Sequence, residues 1–184
     1  MSQTHRVLLS EDDILEKIEG IATQICEDYR GQEVILVGIL KGAFVFLSDL
    51  AREIEHQSQD GKGVSACFVE FMSISSYGDS RKPGDIRIEL DVRQSVRGQN
   101  VIIVEDVADS LETLYRVRQI LSEKGAAEIR VAVLLEKPEG HKRSDVSLDY
   151  VCFRIENAGF VYGYGMDVAE KSRALPFVAV ADPE

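Results

Sequence analysis

Three carboxylates follow an apolar run near the middle of the chain. The run covers residues 101–104, and Glu105, Asp106 and Asp109 come directly after it. An unbroken apolar run is typical of a central parallel strand that is covered on both faces. Because open α/β sheets bind ligands at the carboxyl ends of such strands, we predict that this strand-to-helix turn places the three acids at a ligand-binding edge.

The residues after these acids suit a phosphate group. Apolar residues recur at helical spacing from 114 to 121, so a helix should begin near Ser110 and Thr113. Hydroxyls and free backbone amides at the start of a helix bind phosphate. Together, the acids and the helix start would suit a phosphorylated sugar that carries magnesium.

Two lysines follow two other predicted buried strands. Lys41 and Gly42 end an apolar run over residues 34–40, and Lys137 follows a run over residues 129–135. A lysine in such a place is most often a solvated loop residue. A lysine and a glycine at a sheet edge can also offer charge and close backbone approach to an anion. Because both lysines converge with the acidic turn on one edge, we favour the ligand-binding interpretation.

Two loops each allow two interpretations. The polar segment 75–86, which includes Ser76 and Tyr77, could be a plain hairpin loop or a mobile lid over an active site. The segment 159–167 mixes aromatic residues with glycines and one acid. It could be a glycine-rich bend that closes the core or part of a ligand pocket. Composition alone does not decide between these alternatives.

Length and charge limit the classes of function. A chain of 184 residues fits a single domain, and its net charge of -11 disfavours general binding to nucleic acid or to an anionic membrane. The longest apolar run, residues 34–40, is too short to span a bilayer. We therefore expect a cytoplasmic protein with no nucleic-acid partner and no membrane association.

Cysteine and histidine chemistry is disfavoured by spacing. The three cysteines are far apart, form no CxxC pair and have no histidine nearby, so a Cys–His enzyme is not expected. We predict buried thiols and surface histidines. The cysteines are Cys26, Cys67 and Cys152, and the histidines are His5, His56 and His141.

Five sequence blocks, in order and at suitable spacing, resemble the hypoxanthine phosphoribosyltransferase family of type I phosphoribosyltransferases. The block EDVADSLETL resembles the signature that binds phosphoribosyl pyrophosphate (PRPP). The blocks are VGILKGAF at 37–44, SSYG at 75–78, EDVADSLETL at 105–114, KP at 137–138 and FVYGYGMD at 160–167. They cover most of the chain from about residue 34 to residue 178.

The resemblance implies both a fold and an activity. The fold would be α/β, with a central parallel sheet of about five strands flanked by helices. A small hood would come from the termini and residues 137–170. The activity would be purine salvage, in which the 5-phosphoribosyl group of PRPP passes to hypoxanthine and guanine. The products would be a nucleoside monophosphate (IMP or GMP) and pyrophosphate. Magnesium would be the cofactor, and relatives form homodimers or homotetramers.

The resemblance also implies residue roles. Asp109 would be the general base, although it could instead merely cap the helix. Ser76 and Tyr77 would form the lid. The PRPP-binding set would comprise Lys41, Gly42, Glu105, Asp106, Asp109, Ser110, Leu111, Glu112, Thr113 and Arg173. The purine-binding set would comprise Lys137, Phe160, Val161 and Asp167, and the metal ligands would be Glu105, Asp106 and Asp167. In relatives the peptide bond at Lys41 is cis, which the sequence itself does not show.

Two residues depart from the family pattern. Leu111 stands where the family usually has glycine, and Glu112 adds a carboxylate beside the expected phosphate. A left-handed backbone at Leu111 would cost roughly 1 to 2 kcal/mol, and its side chain could crowd the phosphate. The alternative function is therefore a catalytically weakened paralogue that acts as a nucleotide-binding regulatory module. The sequence leaves open the preference among hypoxanthine, guanine and xanthine, and the order of the oligomer.

Overall fold

Within the part of the chain that the structure describes, nine strands and three helices form two sheets and their covering layers. The computed structural model describes residues 6–76 and 86–181. The strands are β1 (Arg6–Leu9), β2 (Glu33–Ile39), β3 (Ala66–Ser76), β4 (Ile86–Leu90), β5 (Asn100–Ala108), β6 (Glu128–Glu136), β7 (Tyr150–Arg154), β8 (Val161–Tyr162) and β9 (Val178–Val180). The helices are α1 (Glu11–Asp28), α2 (Phe44–Gln57) and α3 (Glu112–Glu123), and 3-10 turns cover Gln59–Gly61 and Pro138–Gly140.

Among the described residues, the central sheet has six strands in the order β4-β3-β2-β5-β6-β7. The five strands from β3 to β7 in this order are parallel, and β4 pairs antiparallel with β3 at the edge. The predicted parallel sheet of about five strands flanked by helices is therefore confirmed.

The side chains of β2 point alternately to the two faces of the sheet, which shows why helices must cover both faces. Val34 and Leu36 belong to a buried cluster with side chains of α1 and α2. Ile35 and Val37 point the other way, into a cluster that contains the apolar stripe of α3. Successive strand residues face opposite sides, so an unbroken apolar strand is stable only where both faces are covered.

Helix α1 is capped at its start and buries one face. Ser10 and Asp13 form a reciprocal capping box, in which the Ser10 hydroxyl accepts from the Asp13 amide at 3.2 Å. Isoleucines at helical spacing form the buried face: Ile14, Ile18, Ile21 and Ile25. Each such side chain contributes about 1.5 to 3 kcal/mol when it is fully buried.

Strand β5 extends further than its apolar run indicates. Its pairing with β6 continues as far as Ala108 opposite Glu136. Glu105 and Asp106 therefore lie inside the strand, and only Asp109 lies in the bend that follows. The prediction that the turn carries all three carboxylates was wrong, because the ladder of backbone hydrogen bonds does not stop where the apolar residues stop.

The second sheet is small and antiparallel. Strand β9 lies between β1 and β8, so both ends of the described chain contribute to it. Within residues 137–170, β7 belongs to the central sheet and β8 to the small sheet. The Tyr164 hydroxyl donates to the Asp49 carboxylate of α2. This hydrogen bond joins the segment after β8 to a helix that covers the central sheet.

The predicted lid falls largely outside the described residues. Strand β3 ends at Ser76 and β4 begins at Ile86, while Tyr77 lies outside the described part. Among the residues that the structure does describe, no helix is both long and apolar enough to cross a membrane.

The cysteines and histidines follow their predictions only in part. Cys26 and Cys152 are buried free thiols, as predicted, whereas Cys67 is only half-buried. His56 is exposed, but the surface prediction was wrong for His141, whose Nε2 atom is buried 3.8 Å from the Glu136 carboxylate. His5 lies outside the described residues. Strand β6 ends in Glu136, and the following turn brings His141 back over it.

Leu111 is the N-cap of α3 and has a left-handed backbone, with φ of 64° and ψ of 2°. Its side chain is 4% exposed and belongs to the buried cluster that includes Leu114 and Val117. Glycine adopts this left-handed conformation without steric cost, whereas a residue with a side chain pays for it. The side chain packs into the core, and the expectation that it crowds the phosphate stays a prediction.

We expect Leu111→Ala to be less stable than Leu111→Gly. Both variants lose a buried side chain, which costs about 2 to 5 kcal/mol, but only glycine relieves the left-handed backbone, by roughly 1 to 2 kcal/mol. Urea unfolding measures the two free energies. Equal stability of the two variants, or a glycine variant more stable than wild type, would contradict this balance.

Candidate active site

A cavity of about 410 Å³ opens at the carboxyl ends of β2 and β5. It gathers residues from four separate parts of the chain. The predicted site residues that line it are Lys41, Gly42, Glu105, Asp106, Asp109, Ser110, Leu111, Thr113, Asp167 and Arg173. The sheet edge predicted from the apolar runs is therefore where these residues meet.

Glu105 and Asp106 lie side by side at the floor of this cavity. Glu105 is 7% exposed, and its burial, followed by the neighbouring Asp106 carboxylate, raises the pKa of Glu105 well above its usual range. Burial disfavours the charged form, and a like charge adds to that effect. A cation or a set of hydroxyl groups at this place would favour the ionised form.

Two glycines let backbone segments approach the acids closely. A Cβ atom on Gly42 would lie 1.8 Å from the Asp106 carboxylate, and one on Gly165 would lie 2.0 Å from the Gly42 carbonyl oxygen. No side chain fits at either position without a shift in its neighbours. The peptide bond between Leu40 and Lys41 is cis, as the resemblance implies.

Asp109 is held beside the turn that follows β6. A Cβ atom on Gly140 would lie 1.5 Å from Oδ1 of Asp109, so only glycine leaves room for this carboxylate. The Lys137 amide donates to the Ala108 carbonyl at 2.9 Å, which fixes the turn to the end of β5. The segment that carries Lys137 therefore borders Asp109 directly.

The start of α3 has the features of a phosphate-binding turn. The Ser110 hydroxyl, rather than the Asp109 carboxylate, accepts from the Glu112 amide at 3.4 Å. Ser110 and Thr113 both line the cavity, whereas Glu112 is not among its lining residues. The amide dipoles and hydroxyls at this end of the helix favour an anion.

Two cations form a network with two acids on the opposite side of the cavity. The Lys41 ammonium lies 2.9 Å from the Glu170 carboxylate, and its side chain is 67% exposed. Arg173 donates to the Gly165 carbonyl at 2.9 Å and pairs with Asp167 at 2.6 Å and with Glu170 at 3.4 Å. Lys41 and Arg173 thus share one carboxylate at the place expected to hold pyrophosphate.

The residues predicted to hold the purine form a neighbouring group. Lys137 donates from its ammonium to the Gly159 carbonyl at 2.6 Å, immediately before Phe160. The Phe160 side chain is 58% exposed, and Val161 pairs with Val180 in the small sheet. Lys137, Phe160 and Val161 do not line the cavity of the acids, although Lys137 links the two places through Ala108.

Two residues of this geometry were missed by the sequence analysis. Glu170 follows Asp167 by three positions and donates its amide to the Asp167 carboxylate at 2.7 Å. Nothing in its residue type distinguishes it from a surface acid. Gly140 stands in a turn where a glycine is ordinary, so its close contact with Asp109 carries no sequence signal.

The carboxylates of the cavity decide whether it can hold a metal ion. Within residues 6–76 and 86–181, no group of three or more His, Cys, Asp and Glu residues could hold a metal by itself. Magnesium is usually bound by one or two carboxylates and completes its coordination with water and substrate phosphate oxygens. The adjacent oxygens of Glu105 and Asp106, with Asp167 across the cavity, fit that type of binding.

Comparison with known proteins adds a family model and close relatives. A phosphoribosyl transferase domain model matches residues 8–169. The hypoxanthine-guanine phosphoribosyltransferase of Streptococcus pneumoniae is 39% identical over 180 residues, which are 97% of this chain and 94% of that protein. The corresponding protein of Dictyostelium discoideum is 41% identical over 177 residues, 95% of this chain and 94% of its own length.

Two solved structures of the Trypanosoma cruzi hypoxanthine phosphoribosyltransferase are also similar. One, in complex with the product IMP, has a TM-score of 0.87 and 33% identity and covers 100% of this chain and 97% of that chain. The other belongs to work on the role of the C-terminal region in the oligomeric state and enzymatic activity of that enzyme. It has a TM-score of 0.86 and 32% identity, with coverage of 100% and 95%. The chain therefore belongs to the hypoxanthine-guanine phosphoribosyltransferase family of type I phosphoribosyltransferases.

Proposed function

We propose that this protein acts in purine salvage and transfers the 5-phosphoribosyl group of PRPP to hypoxanthine and guanine. The products are IMP or GMP and pyrophosphate. The observation that carries the proposal is the single cavity that joins an acid pair, the carboxylate of Asp109, a phosphate-binding helix start and two cations. These are the groups that the reaction requires.

Asp109 is the proposed general base. As the bond from the sugar carbon to pyrophosphate breaks, the purine N9 atom attacks that carbon and N7 gives up its proton. A carboxylate beside N7 accepts this proton and stabilises the positive charge that develops on sugar and base. The place of Asp109 between the acid pair and the Lys137 turn supports this role.

The other groups of the cavity position the substrate. The turn that holds the 5-phosphate consists of Ser110, Leu111, Glu112 and Thr113. Pyrophosphate is held by Lys41 and Arg173. Glu170 forms ion pairs with both Lys41 and Arg173 in the structure, so these pairs must break when pyrophosphate binds to the two cations. An anion with a higher charge than a single carboxylate competes well for such a pair of cations.

Magnesium is used by the family in general, and we propose that this chain holds it through Glu105 and Asp106 on the ribose side and through Asp167 on the pyrophosphate side. When bound, the metal neutralises charge on the leaving pyrophosphate. The protein contributes oxygen ligands and a cavity that limits access of water.

The purine is proposed to lie against Phe160, with the Val161 backbone and Lys137 at its edge. Lys137 has two further donor hydrogens beyond the one used on Gly159 and can donate to the O6 oxygen. A donor at this place favours 6-oxopurines over adenine. Asp167 is proposed to contact both the metal and the purine, and Ser76 with Tyr77 remains the predicted lid.

The domain organisation, the oligomeric state and the location of the protein are also proposals. The hood is proposed to be the small sheet with its flanking segments, in a single domain that covers residues 1–184. A homodimer or homotetramer is proposed on the basis of the work on oligomeric state in the Trypanosoma cruzi relative. A cytoplasmic location remains a prediction. The weakened-paralogue alternative is not favoured, since the relatives are named enzymes and Asp109 lies in the cavity with the acid pair.

A steady-state assay of nucleotide formation tests both the proposed function and the role of Asp109 as general base. Wild type should form IMP and GMP from magnesium-PRPP, and Asp109→Asn should lower kcat roughly a hundred-fold or more, which is typical for removal of a general base. Because asparagine keeps the shape of the side chain, the KM for PRPP should change only a few-fold.

Two results would count against these assignments. Absence of nucleotide with hypoxanthine, guanine and xanthine would reject the proposed function. An Asp109→Asn variant with wild-type kcat would show that the carboxylate has a structural role only.

Gly165→Ala should damage both stability and activity. The new Cβ atom would meet a backbone oxygen at 2.0 Å, and φ at this position is 101°, so the segment must move away from Gly42. We expect a loss of about 2 kcal/mol or more in the free energy of unfolding and a raised KM for PRPP.

Gly20→Ala is the matched control for this substitution. Gly20 lies inside α1 with nothing within 4 Å of its Cβ position, so alanine should stabilise the protein by about 0.5 to 1 kcal/mol and leave kinetics unchanged. Thermal unfolding and PRPP titration measure both variants. If the two variants had the same stability and the same affinity for PRPP, the close approach of Gly165 to Gly42 would be contradicted.

A further inference from the structure

Glu112 brings a negative charge to the place where the proposed function needs a phosphate. It is the first residue of α3, next to Ser110, Leu111 and Thr113, which line the cavity. A carboxylate in the first turn suits the helix dipole, but it repels a phosphate bound at the same turn. Glu112 itself does not line the cavity, and its side chain is 47% exposed.

Arg143 holds this carboxylate. Its guanidinium lies 3.5 Å from Oε2 of Glu112 and donates twice to Asp145, at 2.9 and 2.8 Å. The same group stacks on the Tyr115 ring, 3.4 Å from the ring centroid. Contacts on three sides fix the arginine, and stacking of this kind adds a cation–π attraction.

The backbone ties the segment of Arg143 to the phosphate turn. The Lys142 amide donates to the Ser110 carbonyl at 3.2 Å. Arg143 comes from the segment between β6 and β7, whereas Glu112 and Tyr115 belong to α3. The direction of the Glu112 side chain is therefore set by a contact between two separate parts of the chain.

We propose that Arg143 is a positioning residue for PRPP and nucleotide binding: it holds the Glu112 carboxylate away from the cavity and offsets part of its charge beside the 5-phosphate. The inference rests on the proposed function. Arg143 does not line the cavity, so it acts on the phosphate through Glu112.

A double-mutant cycle tests this coupling. The variants are Arg143→Ala, Glu112→Gln and the two combined. Arg143→Ala should raise the KM for PRPP roughly three- to ten-fold, as expected for an exposed charge pair beside a bound anion, with kcat and the KM for hypoxanthine nearly unchanged. In the Glu112→Gln background the same substitution should change the KM for PRPP less than about two-fold.

Two further measurements support the cycle. Calorimetric titration with IMP should show the same pattern without turnover, and the Arg143→Ala effect should shrink as salt is raised, because screening weakens the repulsion. Arg116→Ala is the matched control: it removes another arginine at the Tyr115 ring, 5.5 Å from the centroid, and should leave PRPP binding unchanged.

The possible outcomes separate the inference from the function. An equal rise in KM in both backgrounds, or no rise, would overturn the role of Arg143. If Arg143→Ala does not fold, Arg143→Lys should show a smaller rise that again disappears in the Glu112→Gln background. A wild type that neither uses PRPP nor binds IMP would reject the proposed function and this inference with it.

Discussion

The pairing of β5 between β2 and β6 determines where the charged groups of this protein lie. Both faces of β5 are covered, and its ladder with β6 continues to Ala108. Glu105 is therefore a buried acid rather than a loop residue. Burial and the neighbouring Asp106 carboxylate raise the pKa of Glu105, and a cation or hydrogen-bond donors beside it would favour the ionised form.

The two cations reach the cavity from two segments that approach each other closely. Gly42 lies against Asp106, and Gly165 lies against the backbone of Gly42, so glycines permit this close approach. Lys41 and Arg173 then reach the cavity from these segments. Their shared partner Glu170 is an exposed carboxylate whose pKa is lowered, mainly by Lys41, and it neutralises the two cations in the absence of a more highly charged ligand.

Apolar patterns predicted three strands of the sheet, the helix after β5 and the edge where the site lies, since burial on two faces leaves a clear pattern in β2 and β5. The number of strands and the covering helices came from the resemblance to the family. The apolar pattern failed where backbone pairing outlasts the apolar run, as at Glu105 and Asp106. It also gave no sign of contacts between distant segments, such as Gly140 with Asp109 or Lys41 with Glu170. Those contacts depend on how turns at different strand ends meet, which local sequence does not encode.

The departures from the family turn have a physical explanation in the surrounding structure. Leu111 has a left-handed backbone, and burial of its side chain offsets the roughly 1 to 2 kcal/mol of strain that this conformation costs. Glu112 has Arg143 within reach, held by Asp145 and Tyr115. Each unusual residue thus has a partner outside the turn. A motif that differs from its family at two adjacent positions can remain compatible with its ligand when neighbouring segments supply burial for one residue and a nearby cation for the other.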